Sequence, residues 1–94
     1  MCPGDATPDL HALGRALLEL RARRELSQEA LGFAADMHRN YVGALERDEI
    51  NPTFRVLLKL CADLHLHLSE LLDVYTRQRE ELGPDLPHLT ARDR

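Results

Sequence analysis

Cysteines and long apolar runs are scarce in this chain, and each scarcity excludes a class of protein. No run of 18 apolar residues is present, so the sequence offers no candidate membrane-spanning helix. Cys2 and Cys61 are too few and too far apart for a disulfide framework or a thiolate zinc site. The residues after Met1 lack the basic-then-apolar order of a secretory signal. We therefore expect a cytoplasmic protein without a membrane partner.

The alternating apolar and polar pattern of a β-strand is also missing from the chain. Leucine, alanine, glutamate and arginine, which are all good helix formers, dominate the sequence instead. Ninety-four residues fit a single domain. The sequence therefore predicts one all-α domain.

The excess of acidic residues argues only mildly against a nucleic-acid partner. The formal net charge is −4, but binding depends on the charge of one face rather than that of the whole molecule. Between residues 37 and 59 four cations stand against three carboxylates, whereas the segment 73–85 has four carboxylates and two cations. The acidity lies partly outside the central segment, so the composition leaves DNA open as a partner.

Apolar residues recur at steps of three and four in five segments, which is the pattern of amphipathic helices. The first segment presents Leu10, Leu13, Leu17 and Leu20. A second helix begins after Ser27, a good N-cap whose hydroxyl can accept a hydrogen bond from a free amide of the first turn. We expect that helix to bury Ala30, Leu31, Ala34 and Ala35.

Three further helices follow. The third, from about Arg39 to Arg47, buries Val42 and Leu45, and it ends before Pro52, which disfavours helix at the preceding residue. The fourth presents Val56, Leu57, Leu60, Cys61 and Leu64. A fifth runs from about Leu68 to Leu82, where Gly83-Pro84 stops it. In that helix we expect the core to be completed by Leu68, Leu71 and Leu72.

The second and third helices are separated by only three residues, Asp36-Met37-His38. Two helices joined by so short a turn form a helix-turn-helix, in which the first helix needs a small residue at the crossing. Gly32, with Ala35, meets that need. One turn residue must adopt positive φ, and aspartate is among the non-glycine residues that tolerate it, so Asp36 is expected there. This geometry leaves the start of the third helix projecting outward, with Arg39, Asn40 and Tyr41 at its tip.

These residue types suit the major groove of DNA. Arginine can bond bidentately to guanine O6 and N7, and asparagine to adenine N6 and N7. Tyr41 can donate to a phosphate or pack on a thymine methyl group. Gln28, in the first turn of the second helix, would face the sugar-phosphate backbone beside exposed amides.

Residues 10–72 resemble the Cro- and phage-repressor-like (XRE-type) helix-turn-helix family of bacterial and phage regulators. The matching elements, in order, are LLELRARRELSQEAL, Met37, NYVGALER, Asn51-Pro52-Thr53, LLKLCADL and LSELL. The resemblance implies a five-helix, lambda-repressor-like fold and a third helix that enters the major groove. It also implies dimers that bind pseudo-palindromic operators without a cofactor. It further implies that the usual DNA-contact positions of the family fall on Gln28, Arg39, Asn40 and Ala44.

The chain departs from the family where glycine is usual, because it has Asp36, Asp48 and His65 there. His38 stands where the family has a serine cap at the start of the third helix. The resemblance further implies that Glu46 bonds an arginine of the first helix, with Arg21, Arg23 or Arg24 available. The predicted DNA-binding residues are Gln28, His38, Arg39, Asn40, Tyr41, Ala44, Arg47 and Arg55.

The predicted organisation has three parts. Residues 1–9 form a loose N-terminal arm, residues 10–82 the DNA-binding domain, and residues 83–94 a C-terminal tail without a firm signal. Tyr75 and Leu82 extend the apolar stripe of helix 68–82 beyond what the core can cover. An uncovered apolar stripe indicates a partner surface, so we expect a homodimer through this helix.

The predicted function is therefore a transcriptional regulator, either a repressor or a restriction-modification controller. Two alternatives stay open: an antitoxin with a protein partner, and a protein-interaction module that has lost DNA binding. Cys61, His65 and His67 form the one cluster that resembles a metal site, but Cys61 lies on the apolar stripe and is read as a small hydrophobe. No set of residues has a catalytic context, so we expect neither an enzyme nor a cofactor.

Overall fold

Residues 8–82, the part of the chain described by the computed structural model, form five α-helices and no strand. The helices are α1 (Pro8–Arg23), α2 (Gln28–Ala35), α3 (Arg39–Glu46), α4 (Phe54–Asp63) and α5 (Leu68–Glu81). The prediction of a five-helix, all-α domain is confirmed. None of these helices has the length and apolar character needed to cross a bilayer. Residues 1–7 and the predicted tail 83–94 lie outside the described residues.

The first helix begins at Pro8, two residues before the predicted start of the domain. Proline suits the first position of a helix, where its missing amide hydrogen would have no partner within the helix. Asp9 follows in the first turn, where its negative charge interacts favourably with the positive end of the helix dipole. The helix thus includes Pro8 and Asp9, two residues that the sequence analysis places in the N-terminal arm.

One apolar core joins all five helices. Its largest fully buried side chains are Leu31, Val42, Leu60, Leu64 and Leu71. Leu17, Leu20, Leu45 and Cys61 are buried beside them, as predicted. Three expected core residues are exposed instead, namely Ala30, Ala34 and Leu72. The two alanines lie on the outer side of a short helix, and Leu72 has 47% of its surface exposed.

Helices α1 to α4 all end in the same backbone motif. A residue one or two positions past the end of each helix has positive φ. The amide of the next residue donates to a carbonyl five residues back, as in a Schellman cap. Asp36 (φ 58°), Asp48 (φ 56°) and His65 (φ 59°) hold this conformation, which confirms the prediction for Asp36 and for the two other sites without glycine. Glu25 (φ 58°) is a fourth case that the sequence did not indicate.

At Gly14 and Gly32, a helix packs directly against the backbone of another segment. A Cβ atom on Gly32 would lie 2.5 Å from the Met37 carbonyl oxygen, so only glycine lets the turn fold back on α2. A Cβ atom on Gly14 would lie 2.7 Å from the carbonyl oxygens of Leu45 and Glu46. Gly14 therefore lets α1 cross the end of α3 closely, and together these contacts fix the position of the helix-turn-helix.

Polar side chains join α1 to α5, the most extensive pairing of helices within residues 8–82. Gln78, which is buried, accepts from Arg15 Nε at 3.2 Å and donates to Glu19 Oε1 at 2.8 Å. Arg77 also donates to Glu19, at 2.6 Å. Near the start of α1, Asp9 accepts from Tyr75 at 3.1 Å and from Arg79 Nε at 3.0 Å. These hydrogen bonds fix α5 on α1, while Leu72 stays largely exposed.

Candidate nucleic-acid interface

His38 caps the first turn of α3. Its backbone is extended, and its Nδ1 accepts a hydrogen bond from the Asn40 amide at 3.0 Å. Because the amide is the donor, Nδ1 carries no proton, and in the neutral ring the hydrogen is on Nε2. The exposed ring can therefore cap the helix and still present an N–H group outward. His38 therefore caps α3 at the position where the resemblance implies a serine.

Arg39 and Asn40 lie exposed at the start of α3. The Arg39 side chain is 62% exposed, and its Nη1 lies 3.8 Å from a carboxylate oxygen of Glu29, too far for a hydrogen bond. Both residues are therefore open to solvent at the outer end of α3. Tyr41 differs, because it is half-buried and packs against the core rather than projecting freely. The next turn of α3 contributes Ala44, which is also half-buried.

Gln28 points toward α3 and α1 rather than straight out from α2. Its Nε2 donates to Glu46 Oε1 at 2.8 Å. The same carboxylate accepts from Arg21 Nε at 2.5 Å and from Arg21 Nη2 at 3.0 Å, while Arg21 Nη1 donates to the Leu26 carbonyl at 2.7 Å. The expected bond from Glu46 to an arginine of α1 is confirmed, with Arg21 as the partner. The link to Gln28 was not anticipated.

Arg47 lies at the end of α3, and its side chain runs back toward Gln28. Arg47 Nη1 would lie 2.9 Å, and Gln28 Oε1 3.3 Å, from a Cβ atom on Gly43. Gly43 therefore leaves room in which these two predicted contact residues come together. Gly43 was not among the predicted site residues; it lies one helical turn after Arg39 and is buried beside the Arg47 and Gln28 side chains.

The Arg47 guanidinium also bonds a carboxylate. Its Nε donates to Glu49 Oε2 at 2.8 Å, and its Nη2 donates to Glu49 Oε1 at 3.2 Å. This hydrogen-bonded pairing raises the pKa of Arg47 and lowers the pKa of Glu49, so both groups stay charged near neutral pH. Arg55 lies apart from this group, exposed in the first turn of α4.

Cys61, His65 and His67 are the residues whose spacing in the sequence resembles a metal site. No group of three or more His, Cys, Asp or Glu side chains lies close enough together in residues 8–82 to hold an ion. Cys61 is buried, and burial, together with the charge of Glu70, raises the pKa of its thiol. The thiol stays protonated near neutral pH, which suits its role as a small core residue.

A cleft of about 660 Å³, lined mainly by apolar side chains together with Asp9, Asp48, Glu49 and Asn51, opens between α1, the loop after α3, α4 and α5. The apolar side chains in its lining are Leu10, Leu13, Ile50, Leu57, Leu72 and Tyr75. Leu72, one of the predicted core residues, is among the large apolar side chains most open to solvent. The cleft lies beside α5, the helix predicted to form the dimer.

The sequence pattern of the family described as Helix-turn-helix matches residues 17–71. Among curated relatives, the Immunity repressor protein of Bacillus phage phi105 is 29% identical over 69 residues, which covers 73% of this chain and 48% of that protein. Control protein C.SmaI of Serratia marcescens is 42% identical over 53 residues, which covers 56% of this chain and 60% of that protein. The chain thus matches about half to three fifths of the length of these relatives.

The fold also matches solved structures. The restriction-modification controller protein C.AhdI from Aeromonas hydrophila is 40% identical, covers 69% of this chain and 98% of its own, and superposes with a TM-score of 0.67. The clp gene regulator ClgR from Corynebacterium glutamicum superposes with a TM-score of 0.76 over 79% of each chain. At 23% identity, ClgR shows a shared fold alone.

Proposed function

This chain belongs to the helix-turn-helix family, whose pattern matches residues 17–71, and we propose that it is a sequence-specific DNA-binding transcriptional regulator. The observation that carries the proposal is the exposed start of α3, where Arg39 and Asn40 stand clear of the core. The controller proteins among its relatives support a repressor or restriction-modification controller in particular. The proposed setting is the cytoplasm, without catalysis or a cofactor.

In the proposed mechanism, α3 lies in the major groove and reads base edges. Arg39 presents a planar fork of donors suited to guanine, and Asn40 presents a donor and an acceptor suited to adenine. His38 can donate to a phosphate through Nε2, and Arg47 and Arg55 supply charge for the backbone on either side. Phosphate contacts of this kind set position, whereas base contacts set sequence preference.

The site residues have different roles in this proposal. Gln28 acts partly through Glu46, since the hydrogen bond between them orients the amide beside Arg47. Tyr41 and Ala44 shape the surface of α3 between the reading residues and the core, because both are half-buried. Direct base contact is therefore proposed for Arg39 and Asn40, and contact through position or phosphate for the remaining residues.

A homodimer completes the proposal. One helix reads only a few base pairs, whereas two half-sites about 34 Å apart multiply the discrimination. The apolar cleft beside α5 supports helix 68–82 as the dimer surface, because Leu72 and Tyr75 both line it. An exposed apolar surface of this kind indicates a binding partner, and a second copy can bury it.

The proposal is tested by fluorescence anisotropy with the DNA directly upstream of the gene and with a scrambled fragment of equal length. We expect tighter binding to the upstream fragment and a linear fall of log affinity with log salt concentration, because phosphate contacts release counterions. Equal, salt-insensitive and weak binding to both fragments would contradict the proposal. A stoichiometric protein partner that copurifies with a chain unable to bind DNA would favour the interaction-module alternative.

A further inference from the structure

Two N–H groups with which Arg47 could bind a phosphate are bonded to a carboxylate in the free protein. Both its Nε and its Nη2 bond the two oxygens of the Glu49 carboxylate, at 2.8 and 3.2 Å. This two-bond arrangement is also the way in which a guanidinium binds a phosphate group. Glu49 therefore presents to Arg47 the same kind of acceptor that a DNA backbone would present.

The backbone brings the two side chains together. The chain reverses at Asp48, whose φ of 56° turns the next residue back toward α3. The Glu49 amide then donates to the Ala44 carbonyl at 2.9 Å, which fixes its place at the end of the helix. The backbone turn that caps α3 therefore places Glu49 beside Arg47.

The pair also lies on the proposed DNA-binding surface. Arg47 Nη1 lies against Gly43 beside the Gln28 amide, so the guanidinium is next to a second predicted contact residue. The Arg47 and Glu49 side chains are 59% and 53% exposed. Water competes for exposed pairs, so such pairs are weak. A phosphate can therefore displace this carboxylate.

We propose that Glu49 competes with DNA phosphate for Arg47, so that the pair must open each time Arg47 binds the backbone. This inference rests on the proposed function, since it needs DNA as the partner. Opening the pair releases a carboxylate that takes up a cation from solution. This cation uptake offsets the release of a counterion from the phosphate. Glu49 therefore lowers both the affinity for DNA and the dependence of that affinity on salt.

The test compares the full chain with Glu49→Gln, Arg47→Ala and the double variant, using anisotropy on upstream and scrambled DNA across a series of salt concentrations. We expect Glu49→Gln to bind scrambled DNA roughly two- to fivefold more tightly, the factor that opening one exposed pair represents. The slope of log affinity against log salt should steepen by about 0.9 for each protomer bound, the value for one phosphate contact. In the Arg47→Ala background the same change should produce a much smaller gain.

Glu80→Gln is the matched control, because it removes one exposed carboxylate from α5 and leaves the Arg47 pair intact. An equal gain from Glu80→Gln would assign the effect to net charge and overturn the inference. An equal gain from Glu49→Gln with and without Arg47 would assign it to simple repulsion of phosphate and also overturn it. An unchanged affinity in Glu49→Gln would do the same while leaving the proposed function intact. If neither the wild type nor any variant bound DNA, both proposals would fall together.

Discussion

Glu46 is the residue that most directly holds the helix-turn-helix against α1, through its carboxylate. Its side chain is 3% exposed, and it accepts hydrogen bonds from Arg21 of α1 and from Gln28 of α2. Three helices therefore meet at one buried acidic group. Removing one member of such a pair leaves the other charge buried without compensation, which costs more than the pair itself contributes.

We expect Glu46→Gln to lower the free energy of unfolding by about 3 kcal/mol, because the Arg21 guanidinium loses its counter-charge. Urea unfolding followed by circular dichroism measures the change, provided that the slope with denaturant stays constant. Glu49→Gln is the control, since its pair with Arg47 is open to solvent and should contribute far less. Equal losses in the two variants would show that Glu46 is not a structural residue.

The residues that sequence reasoning placed well are those whose local chemistry decides their conformation. Asp36 and His65 were expected at positive φ because their position after a helix and their side chains both allow it. Glu25 adopts the same conformation although glutamate has no such preference, since the core fixes the helices on either side of it. The bond between Gln28 and Glu46 likewise depends on packing between helices, so the residue types alone could not indicate it.

At the scale of elements, the contact between α2 and α3 depends on backbone approach. Gly32 lies where the carbonyl of Met37 comes within 2.5 Å of the site that a Cβ atom would occupy. Backbone of a tight turn cannot move aside without displacing α3. The short turn brings this carbonyl close to α2, so the helix needs a small residue there. The prediction of a small residue at position 32 is confirmed.

We expect Gly32→Ala to destabilise the fold by about 1–3 kcal/mol, the usual cost of overpacking. Gly43→Ala is the matched control in α3, because the nearest atoms there are the ends of the Arg47 and Gln28 side chains, which can move. Thermal unfolding of both variants measures the difference. A Gly32→Ala protein that unfolds at or above the wild-type temperature would contradict the proposed crossing.

Helical spacing predicted the five helices correctly, but it did not predict every buried face correctly. Helical spacing identified all five helices, because apolar stripes of period 3.6 need burial whatever the tertiary fold. It assigned Ala30, Ala34 and Leu72 wrongly to the core. Alanine is too small to indicate which side of a helix is buried, and a leucine stripe on α5 is wide enough to face both the core and the cleft. Only packing distinguishes these faces.

For the whole molecule, the α1–α5 contact makes stability depend on pH. Hydrogen bonds to Glu19, above all from Arg77, lower its pKa from 4.5 to about 2. The unfolded chain therefore takes up this proton at a higher pH than the folded protein does. The stabilisation is complete above about pH 4.5 and is lost as the pH falls toward 2.

We expect the unfolding temperature of Glu19→Gln to fall less steeply than that of the wild type between pH 4.5 and about 2, and to be lower near neutral pH. Differential scanning calorimetry across this range measures both effects. Glu80→Gln, which removes an exposed carboxylate on the same contact's outer side, should keep the wild-type profile. Identical acid profiles for the wild type and Glu19→Gln would rule out this role for Glu19.

The proposed dimer is also a property of the whole molecule. We expect Leu72→Glu to give a folded monomer, because a further carboxylate in the cleft, whose lining already includes Asp9, Asp48 and Glu49, would have to be desolvated on association. Leu18→Glu is the control, since Leu18 is 43% exposed, close to the 47% of Leu72, but does not line the cleft. Sedimentation velocity measures the mass, and circular dichroism checks the fold. A Leu72→Glu protein that still dimerises would move the interface elsewhere.

The central claim is that the start of α3 reads base edges. The most direct measurement is the affinity of the wild type and of Arg39→Ala for the upstream fragment and for a panel of its single base-pair substitutions. We predict that one G·C pair in each half-site is worth about 1–3 kcal/mol to the wild type and nothing to Arg39→Ala, with preferences at other positions retained. If Arg39→Ala kept the wild-type preference at every base pair, Arg39 would not read DNA and this orientation of α3 in the groove would be wrong.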